Sequence, residues 1–170
     1  MTAGAAAVSV RSYREQDAAR LKQIVGLAWR QFAAHFSDWP AFETRLLRIE
    51  QLAAQAELIV AESEGVVAGF VGYAGRGVPK ADFFEPDWAV IRMLSVDPAM
   101  RGRGMGRILT EACMARARAE SAEVMALHTS PIMTHAEPMY LRLGFKRVRA
   151  LPEVFGVSYY LYTKNMAPAT

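Results

Sequence analysis

A short run of glycines and arginines, residues 101–107, is the part of the sequence best suited to chemistry. Gly102, Gly104 and Gly106 alternate with other residues, directly after an apolar segment and directly before a helical pattern. Glycine permits positive φ angles and close backbone approach, and the N–H groups at a helix N-terminus point outward with a positive dipole. The run therefore predicts a binding site for a phosphate anion such as a pyrophosphate.

The spacing of these glycines narrows the choice of ligand. The run has neither the G-x-G-x-x-G spacing of dinucleotide-binding folds nor the Gly-Lys-Ser/Thr of a P-loop. Glycine- and arginine-rich RNA-binding tails are long and of low complexity, whereas this run is short and lies between two regular elements. A plain tight turn is the alternative interpretation, and the flanking charges of Arg101, Arg103 and Arg107 disfavour it.

Hydrophobic patterns on both sides of the run predict the elements that hold it. Residues 89–96 predict a buried strand that ends at Asp97, and residues 108–119 predict a helix. Asp17 is expected to cap the first helix of the chain, and Gly144 to end the last one. The remaining pattern predicts strands over residues 8–13, 58–62, 66–73, 124–128, 145–149 and 157–165, and helices over residues 18–28, 42–55 and 133–143. This order predicts an α/β (α+β) fold, with a single central mixed sheet of about seven strands flanked by helices on both faces.

Length and composition bound the class of protein. The 170 residues are 52% hydrophobic and 22% charged, as in an ordinary globular domain, and the net charge is +3. That charge suits an anionic cofactor and does not call for nucleic acid. Cys113 is the only cysteine, which excludes an intramolecular disulfide and a cysteine metal cluster, and no metal is expected. Residues 1–7 predict a flexible tail and residues 8–166 a single domain; without a membrane-length segment or a signal-peptide pattern, a cytoplasmic location is expected.

Two motifs resemble those of the GNAT family of N-acetyltransferases. Arg101, Gly104 and Gly106 match Arg-x-x-Gly-x-Gly, the coenzyme A pyrophosphate loop of that family, after a strand that ends in Leu-x-Val-Asp-Pro. Residues 136–145 resemble its second signature, with Tyr140 at the expected position. The resemblance implies the family's fold and an acetyl-CoA-dependent transfer to a primary amine of a small molecule or peptide.

The resemblance also implies a division of roles among residues. The backbones of Leu94 and Val96 would pair with the pantetheine arm like a neighbouring strand, and the N–H of Leu94 would donate to the oxyanion. Tyr140 would protonate the leaving thiolate, against the alternative of a tyrosine that only packs in the core. The implied coenzyme contacts are Met93, Leu94, Val96, Arg101, Gly102, Arg103, Gly104, Met105, Gly106, Thr134 and Tyr140.

The resemblance does not mark a general base. Val90 occupies the strand position at which many members carry a glutamate. Glu85 and Asp87 just before the strand and His128 at the end of the next strand are the candidates, and a weakly basic amine needs no base beyond water. His128 is equally compatible with a solvated histidine at a strand end. The family's common asparagine before the last helix is also missing, and Thr134 is expected to supply a hydroxyl instead.

No motif specifies the acceptor. Aromatic residues over 29–39, the polar loop at 76–87 and the C-terminal strands are expected to shape its pocket. A domain of the same fold that binds acyl-CoA without catalysis is the alternative function, favoured by Val90 and opposed by Tyr140. A nucleic-acid-binding domain is disfavoured because the sequence has no organised basic surface. The sequence leaves open whether the chain forms a homodimer.

Overall fold

Seven strands pair into one mixed sheet in residues 7–167, the part of the chain that the computed structural model describes. They are β1 (Val8–Ser12), β2 (Glu57–Ser63), β3 (Val66–Ala74), β4 (Ala89–Val96), β5 (Val124–Thr129), β6 (Lys146–Val154) and β7 (Val157–Asn165). In space they run β1-β2-β3-β4-β5-β7-β6, antiparallel except between β4 and β5. This topology confirms the predicted mixed sheet. Of the predicted tail, residues 1–7, only Ala7 lies among the described residues.

Helices cover both faces of this sheet, as predicted. They are α1 (Ala18–Trp29), α2 (Trp39–Leu46), α3 (Ile49–Gln55), α4 (Met105–Ala119) and α5 (Ala136–Arg142). On one face, Ile24 of α1 and Phe42 of α2 pack with α3 against a core that includes Val60 of β2. On the other face, Leu109 of α4 and Tyr140 of α5 pack against the alternate residues of the same strands.

The predicted single helix over residues 42–55 is wrong, because the structure contains two helices, α2 and α3, in this region. The backbone leaves the helical conformation at Arg48, where ψ is +60°. With this break, Phe42 and Leu46 of α2 and Ile49 of α3 are all buried in one core. No glycine or proline marks the break, so the helical periodicity of the sequence concealed it.

The predicted end of the sixth strand, at residue 149, is also wrong. β6 continues to Val154, so that only two residues separate it from β7. Phe155 and Gly156 form the turn between the two strands, with φ angles of +44° and +78°. Two successive residues with positive φ are typical of a two-residue hairpin turn, whose twist matches that of the flanking strands.

Two helix starts also differ from the predictions. α5 begins at Ala136 and not at residue 133, because Pro138 has no backbone N–H to donate and therefore belongs in the first turn of a helix. Asp17 precedes α1 but does not cap it. Its carboxylate instead accepts a hydrogen bond from the backbone N–H of Arg14 and a bidentate pair of hydrogen bonds from the Arg11 guanidinium.

Strands β4 and β5 separate soon after they meet. They pair only at Ala89 with Met125 and at Val90 with Ala126. Beyond this point β4 stays beside β3, and β5 stays beside β7. A gap therefore opens between the C-terminal halves of the two parallel strands. The backbone N–H and C=O groups that face this gap have no strand partner and are available to a ligand.

Candidate active site

The glycine- and arginine-containing run forms the turn between β4 and α4. Gly102 and Gly104 have φ angles of +80° and +74°, in a region that non-glycine residues rarely adopt. The turn borders a cavity of about 740 Å³, which we name the loop groove. Its lining includes Leu94, Ser95, Val96, Met100, Arg101, Gly102, Gly104, Met105, Gly106, Arg107, His135, Ala136, Met139 and Arg142. The N-terminus of α4, with its outward-pointing N–H groups, is thus part of the groove.

Cationic side chains line the loop groove on two sides. Arg101 and Arg107 come from the turn and the first residues of α4, and Arg142 comes from α5 and was not predicted. The Nε of Arg107 donates to Glu111 at 2.9 Å, one turn along α4, whereas Arg101 and Arg142 form no salt bridge within residues 7–167. Arg103 is exposed and does not line the groove. The groove therefore presents uncompensated positive charge to an anion.

Asp97 fixes the path of the chain from β4 into this turn. Its carboxylate accepts the backbone N–H of Ala99 at 2.9 Å and Nη2 of Arg20, on α1, at 2.6 Å. Desolvation alone would raise the pKa of Asp97, but the Ala99 N–H and the Arg20 charge lower it below its ordinary value. The predicted end of the strand at Asp97 is confirmed, since β4 stops at Val96.

A β-bulge interrupts β4 beside the gap. Between Arg92 and Ser95, β4 has one residue more than the stretch of β3 that it faces. Met93 has a φ of +56°, which is rare for a non-glycine residue. The Ser95 hydroxyl donates to the Met93 carbonyl at 3.0 Å and accepts the indole N–H of Trp29 at 3.1 Å. These contacts hold the peptide between Met93 and Leu94 out of the regular ladder, on the strand where β5 has moved away.

A second cavity, which we name the inner cavity, occupies the gap between β4 and β5 and has a volume of about 440 Å³. Its walls include α2 and α3 on one face of the sheet and α5 on the other. Four residues, Trp29, Leu94, Met133 and Ala136, line both the inner cavity and the loop groove. The two spaces therefore meet at the bulge of β4, and this meeting point is the junction.

Tyr140 of α5 lines the inner cavity. Its side chain is 4% exposed, and its ring meets that of Phe145 edge to face with centroids 5.7 Å apart. Burial raises the pKa of the Tyr140 hydroxyl above its ordinary value, so this group keeps its proton throughout the neutral range. A protonated hydroxyl beside a cavity can donate a hydrogen bond or a proton to a ligand there.

His128, at the end of β5, also lines the inner cavity. The rings of Phe83, Phe84 and Tyr159 surround it, with centroids 5.5, 6.0 and 5.4 Å from that of the imidazole. Contact with these rings, and secondly the charge of Arg92, lower the pKa of His128 to about 4, while the residue as a whole is exposed to solvent. His128 is therefore neutral at pH 7, and a ring nitrogen can accept a hydrogen bond.

Other residues of the predicted site lie outside both spaces. Glu85 and Asp87 are exposed and line neither cavity. They precede the N-terminal end of β4, where β4 and β5 are still paired, whereas the gap opens farther along the strands. Thr134 is exposed and also lines neither cavity. Val90 is 1% exposed in the core beneath α1–α3. The structure therefore does not bring Glu85 or Thr134 together with Tyr140.

The segments predicted to shape the acceptor pocket contribute unequally. Trp29 lines both cavities, and Tyr159 of β7 lines the inner cavity. The loop at residues 76–87 contributes no lining residue, and its Phe83 and Phe84 pack behind the His128 ring instead.

Sequence reasoning missed the polar side chains that line the inner cavity. Arg45 lies on α2, Gln51 and Gln55 lie on α3, and Arg48 lies in the two-residue link between these helices. Arg92 comes from β4. Arg92 donates from Nη1 to the side-chain oxygen of Gln55 at 3.3 Å. A signal existed for Arg92, the only charged residue of the apolar stretch 89–96. The helical residues follow a polar pattern that does not differ from that of a solvated helix face.

Membrane and metal features are absent from the described chain. Within residues 7–167, none of the helices has the length and hydropathy that a transmembrane span requires. In the same range, no three His, Cys, Asp or Glu side chains are grouped as ligands of a metal ion. Cys113 is buried in α4, and burial raises the pKa of its thiol to about 12.

The fold is shared with solved structures of acetyltransferases. The PaiA N-acetyltransferase of Thermoplasma acidophilum, in complex with coenzyme A, has a TM-score of 0.74 and 13% identity, covering 94% of this chain and 99% of that one. YncA of Salmonella typhimurium, with its cofactor acetyl-CoA, has a TM-score of 0.66 and 19% identity, covering 96% of each chain. At such identities the likeness concerns the fold, and the predicted fold is confirmed.

The sequence comparison defines the family. Residues 21–145 match the model of the Acetyltransferase (GNAT) family, and this chain belongs to that family. The mycothiol acetyltransferase of Thermobispora bispora is 28% identical over 120 residues, which are 69% of this chain and 40% of that protein. The mycothiol acetyltransferase of Rhodococcus erythropolis is 26% identical over 141 residues, 82% of this chain and 47% of that protein. The chain thus spans less than half the length of these curated relatives.

Proposed function

We propose that this chain is an acetyl-CoA-dependent N-acetyltransferase that moves the acetyl group directly to a primary amine of a small molecule or peptide. The observation that carries the proposal is the junction of the loop groove and the inner cavity at the bulge of β4. A thioester held from the groove and an amine held in the inner cavity would meet there. Family membership and the acetyl-CoA and coenzyme A complexes of structures with the same fold support this arrangement.

The loop groove would hold the coenzyme. Its pyrophosphate would accept hydrogen bonds from the N–H groups of the first turn of α4 and pair with Arg101 and Arg107. Arg142, on the opposite wall, is available for a further phosphate of the coenzyme. The pantetheine arm would lie along the open edge of β4 from Val96 to Leu94, where it would supply the strand partner that β5 does not.

The side chains around the junction suit direct transfer. The amine nitrogen attacks the thioester carbonyl carbon, and the oxyanion that forms accepts the N–H of Leu94, which the bulge holds out of the ladder. The proton that the nitrogen loses leaves through water in the cavity, with neutral His128 as a hydrogen-bond acceptor on that path. As the carbon–sulfur bond breaks, Tyr140 donates its proton to the coenzyme thiolate and takes up the proton released by the amine. The products are the acetylated amine and coenzyme A.

A second candidate function is a domain that binds acyl-CoA without catalysis. Val90 favours it, because the position that commonly carries the carboxylate base is part of the core in this chain. Coenzyme would then bind, and no amine would be acetylated.

Calorimetric titration with acetyl-CoA, followed by measurement of thiol release with a panel of amines, tests both functions. Binding should weaken as the ionic strength rises, because salt screens the pairing of phosphates with arginines. Binding that does not depend on salt, or no binding at all, would contradict the assignment of the loop groove. Binding without turnover of any amine would favour the non-catalytic domain.

A further inference from the structure

Every charged side chain that lines the inner cavity, among the residues described, is an arginine. Arg45 and Arg48 are exposed at the cavity surface, and Arg92 of β4 is half-buried. Within residues 7–167, no aspartate or glutamate lines this space. His128, the remaining side chain of this lining that could carry a positive charge, is neutral at pH 7. The inner cavity is therefore positively charged, although it is the space that an amine would have to enter.

These arginines have no counter-ion among residues 7–167. None of the three takes part in a salt bridge with any residue of the described chain. Arg92 donates to the uncharged side chain of Gln55 at 3.3 Å, and the guanidinium carbon of Arg45 lies 5.7 Å from the centroid of the Phe155 ring. Desolvation lowers the pKa of Arg92, with no carboxylate beside it to offset the effect. A half-buried cation without a partner is unfavourable, and a bound anion would relieve this.

We propose that the acceptor is a small amine that also carries a carboxylate, as a free amino acid does. The inference rests on the proposed acetyl transfer and names the substrate class for it. The carboxylate would accept two parallel N–H bonds from the planar guanidinium of Arg92, with Arg45 or Arg48 as a second cation. The amino group would then be directed to the junction at Leu94. The cavity volume of about 440 Å³ lies in the range of small-molecule sites.

The same charges select against other amines. A diamine or polyamine would bring a second ammonium group into a cavity whose described lining has no carboxylate to receive it, so like charges repel.

Matched acceptors test the proposal on the full chain with saturating acetyl-CoA. Each of the common L-amino acids is compared with its amide, which lacks the carboxylate charge, and with the corresponding decarboxylated amine. For the amino acid that is acetylated, kcat/KM should exceed that of its amide by about 10- to 100-fold, as expected for hydrogen bonds to a charged group. The amides have less basic amines and would react faster if the cavity did not recognise the carboxylate. Amides or decarboxylated amines that react as well as the acids would overturn the proposal.

Charge-removing variants show whether the arginines cause the preference. Arg92→Gln should raise KM for the free acid by about 10- to 100-fold and leave the kcat/KM of the amide nearly unchanged, while Arg92→Lys should restore part of the difference. Arg45→Gln, at an exposed position, gives the same test if the half-buried position does not tolerate substitution. Arg118→Gln is the matched control, because it removes an exposed arginine of α4 that lines neither cavity. An acid preference that survives both Arg92→Gln and Arg45→Gln would refute the assignment.

The failure of this proposal can be distinguished from that of the proposed function. If acetyl-CoA binds and neutral or cationic amines are acetylated in preference to amino acids, the carboxylate proposal fails and the acetyltransferase function stands. If acetyl-CoA binds and no free amino acid is acetylated, the carboxylate proposal is likewise overturned. If acetyl-CoA does not bind, the proposed function itself fails, and the inference fails with it.

Discussion

Replacement of Gly104 by valine tests whether the turn before α4 holds the coenzyme. A Cβ atom added at Gly104 meets no heavy atom within 4 Å, so the new side chain would stand in the open space of the loop groove. The effect on folding then comes mainly from the backbone, because a φ of +74° costs a residue with a Cβ about 1–2 kcal/mol. For a chain of this size, the melting temperature should fall by about 2–8 °C.

Gly77 offers a control with the same backbone strain. Its φ is +75°, an added Cβ also meets no heavy atom within 4 Å, and it lines neither cavity. Gly77→Val should therefore lower the melting temperature to a similar extent and leave coenzyme affinity unchanged. Gly104→Val should in addition keep the phosphates from the N–H groups of α4. Charge-assisted hydrogen bonds worth about 1.5–3 kcal/mol would be lost, which weakens binding about 10- to 150-fold.

The two variants are compared by calorimetric titration with acetyl-CoA and by thermal unfolding followed with circular dichroism. A difference in affinity at equal melting temperature would isolate the contribution of the groove from that of folding. Equal affinities for acetyl-CoA in Gly104→Val and Gly77→Val would refute the reasoning, and a different segment would then have to hold the pyrophosphate.

Three further substitutions test the junction. Tyr140→Phe should lower kcat by ~10²–10⁴-fold with little change in coenzyme affinity if Tyr140 is the general acid; near-normal turnover would leave it a structural role only. The pKa of His128 in the folded protein, about 4, lies below its ordinary value of 6.5. The neutral ring therefore contributes fully to stability above pH 6.5, and this contribution is lost as the pH falls through 4. His128→Gln removes this dependence, so the melting temperature should fall less steeply below pH 6.5. An unchanged slope would contradict the lowered pKa. Trp29→Phe removes the donor to Ser95 and should cost ~1 kcal/mol, about 2–4 °C, with a lower kcat; an unaltered kcat would show that this hydrogen bond does not hold the bulge.

The parts of the site that are local in sequence could be predicted from it. The turn between β4 and α4 depends on glycines that adopt positive φ angles and on Asp97, all within a few residues of one another. Tyr140 was assigned to a helix that ends at Gly144, and that helix does bring it to the inner cavity. In each case the chemistry of the segment itself determines the local structure.

The parts that depend on distant pairing could not be predicted. The gap between β4 and β5 exists because, beyond their two paired residues, β4 remains paired with β3 and β5 remains paired with β7. No local sequence pattern indicates where two parallel strands diverge. The break at Arg48 is set by the packing of α2 and α3 on one core, although each half has an ordinary helical pattern. The arginines of the inner cavity come from α2, from the link before α3 and from β4, and their common location follows only from the assembled fold.

The early separation of β4 and β5 has a mechanical consequence. It divides the sheet into two plates, β1–β4 and β5–β7, whose ladders are joined by only two residue pairs within the described chain. Few backbone hydrogen bonds therefore resist a small change in the angle between the plates, and side-chain packing on the two faces of the sheet holds them together. A pantetheine arm hydrogen-bonded along this seam would add backbone-like bonds between the two plates and restrict their relative motion. The catalyst would then be most rigid while the thioester is in place and would soften as coenzyme A departs, which couples the opening of the seam to the release of product.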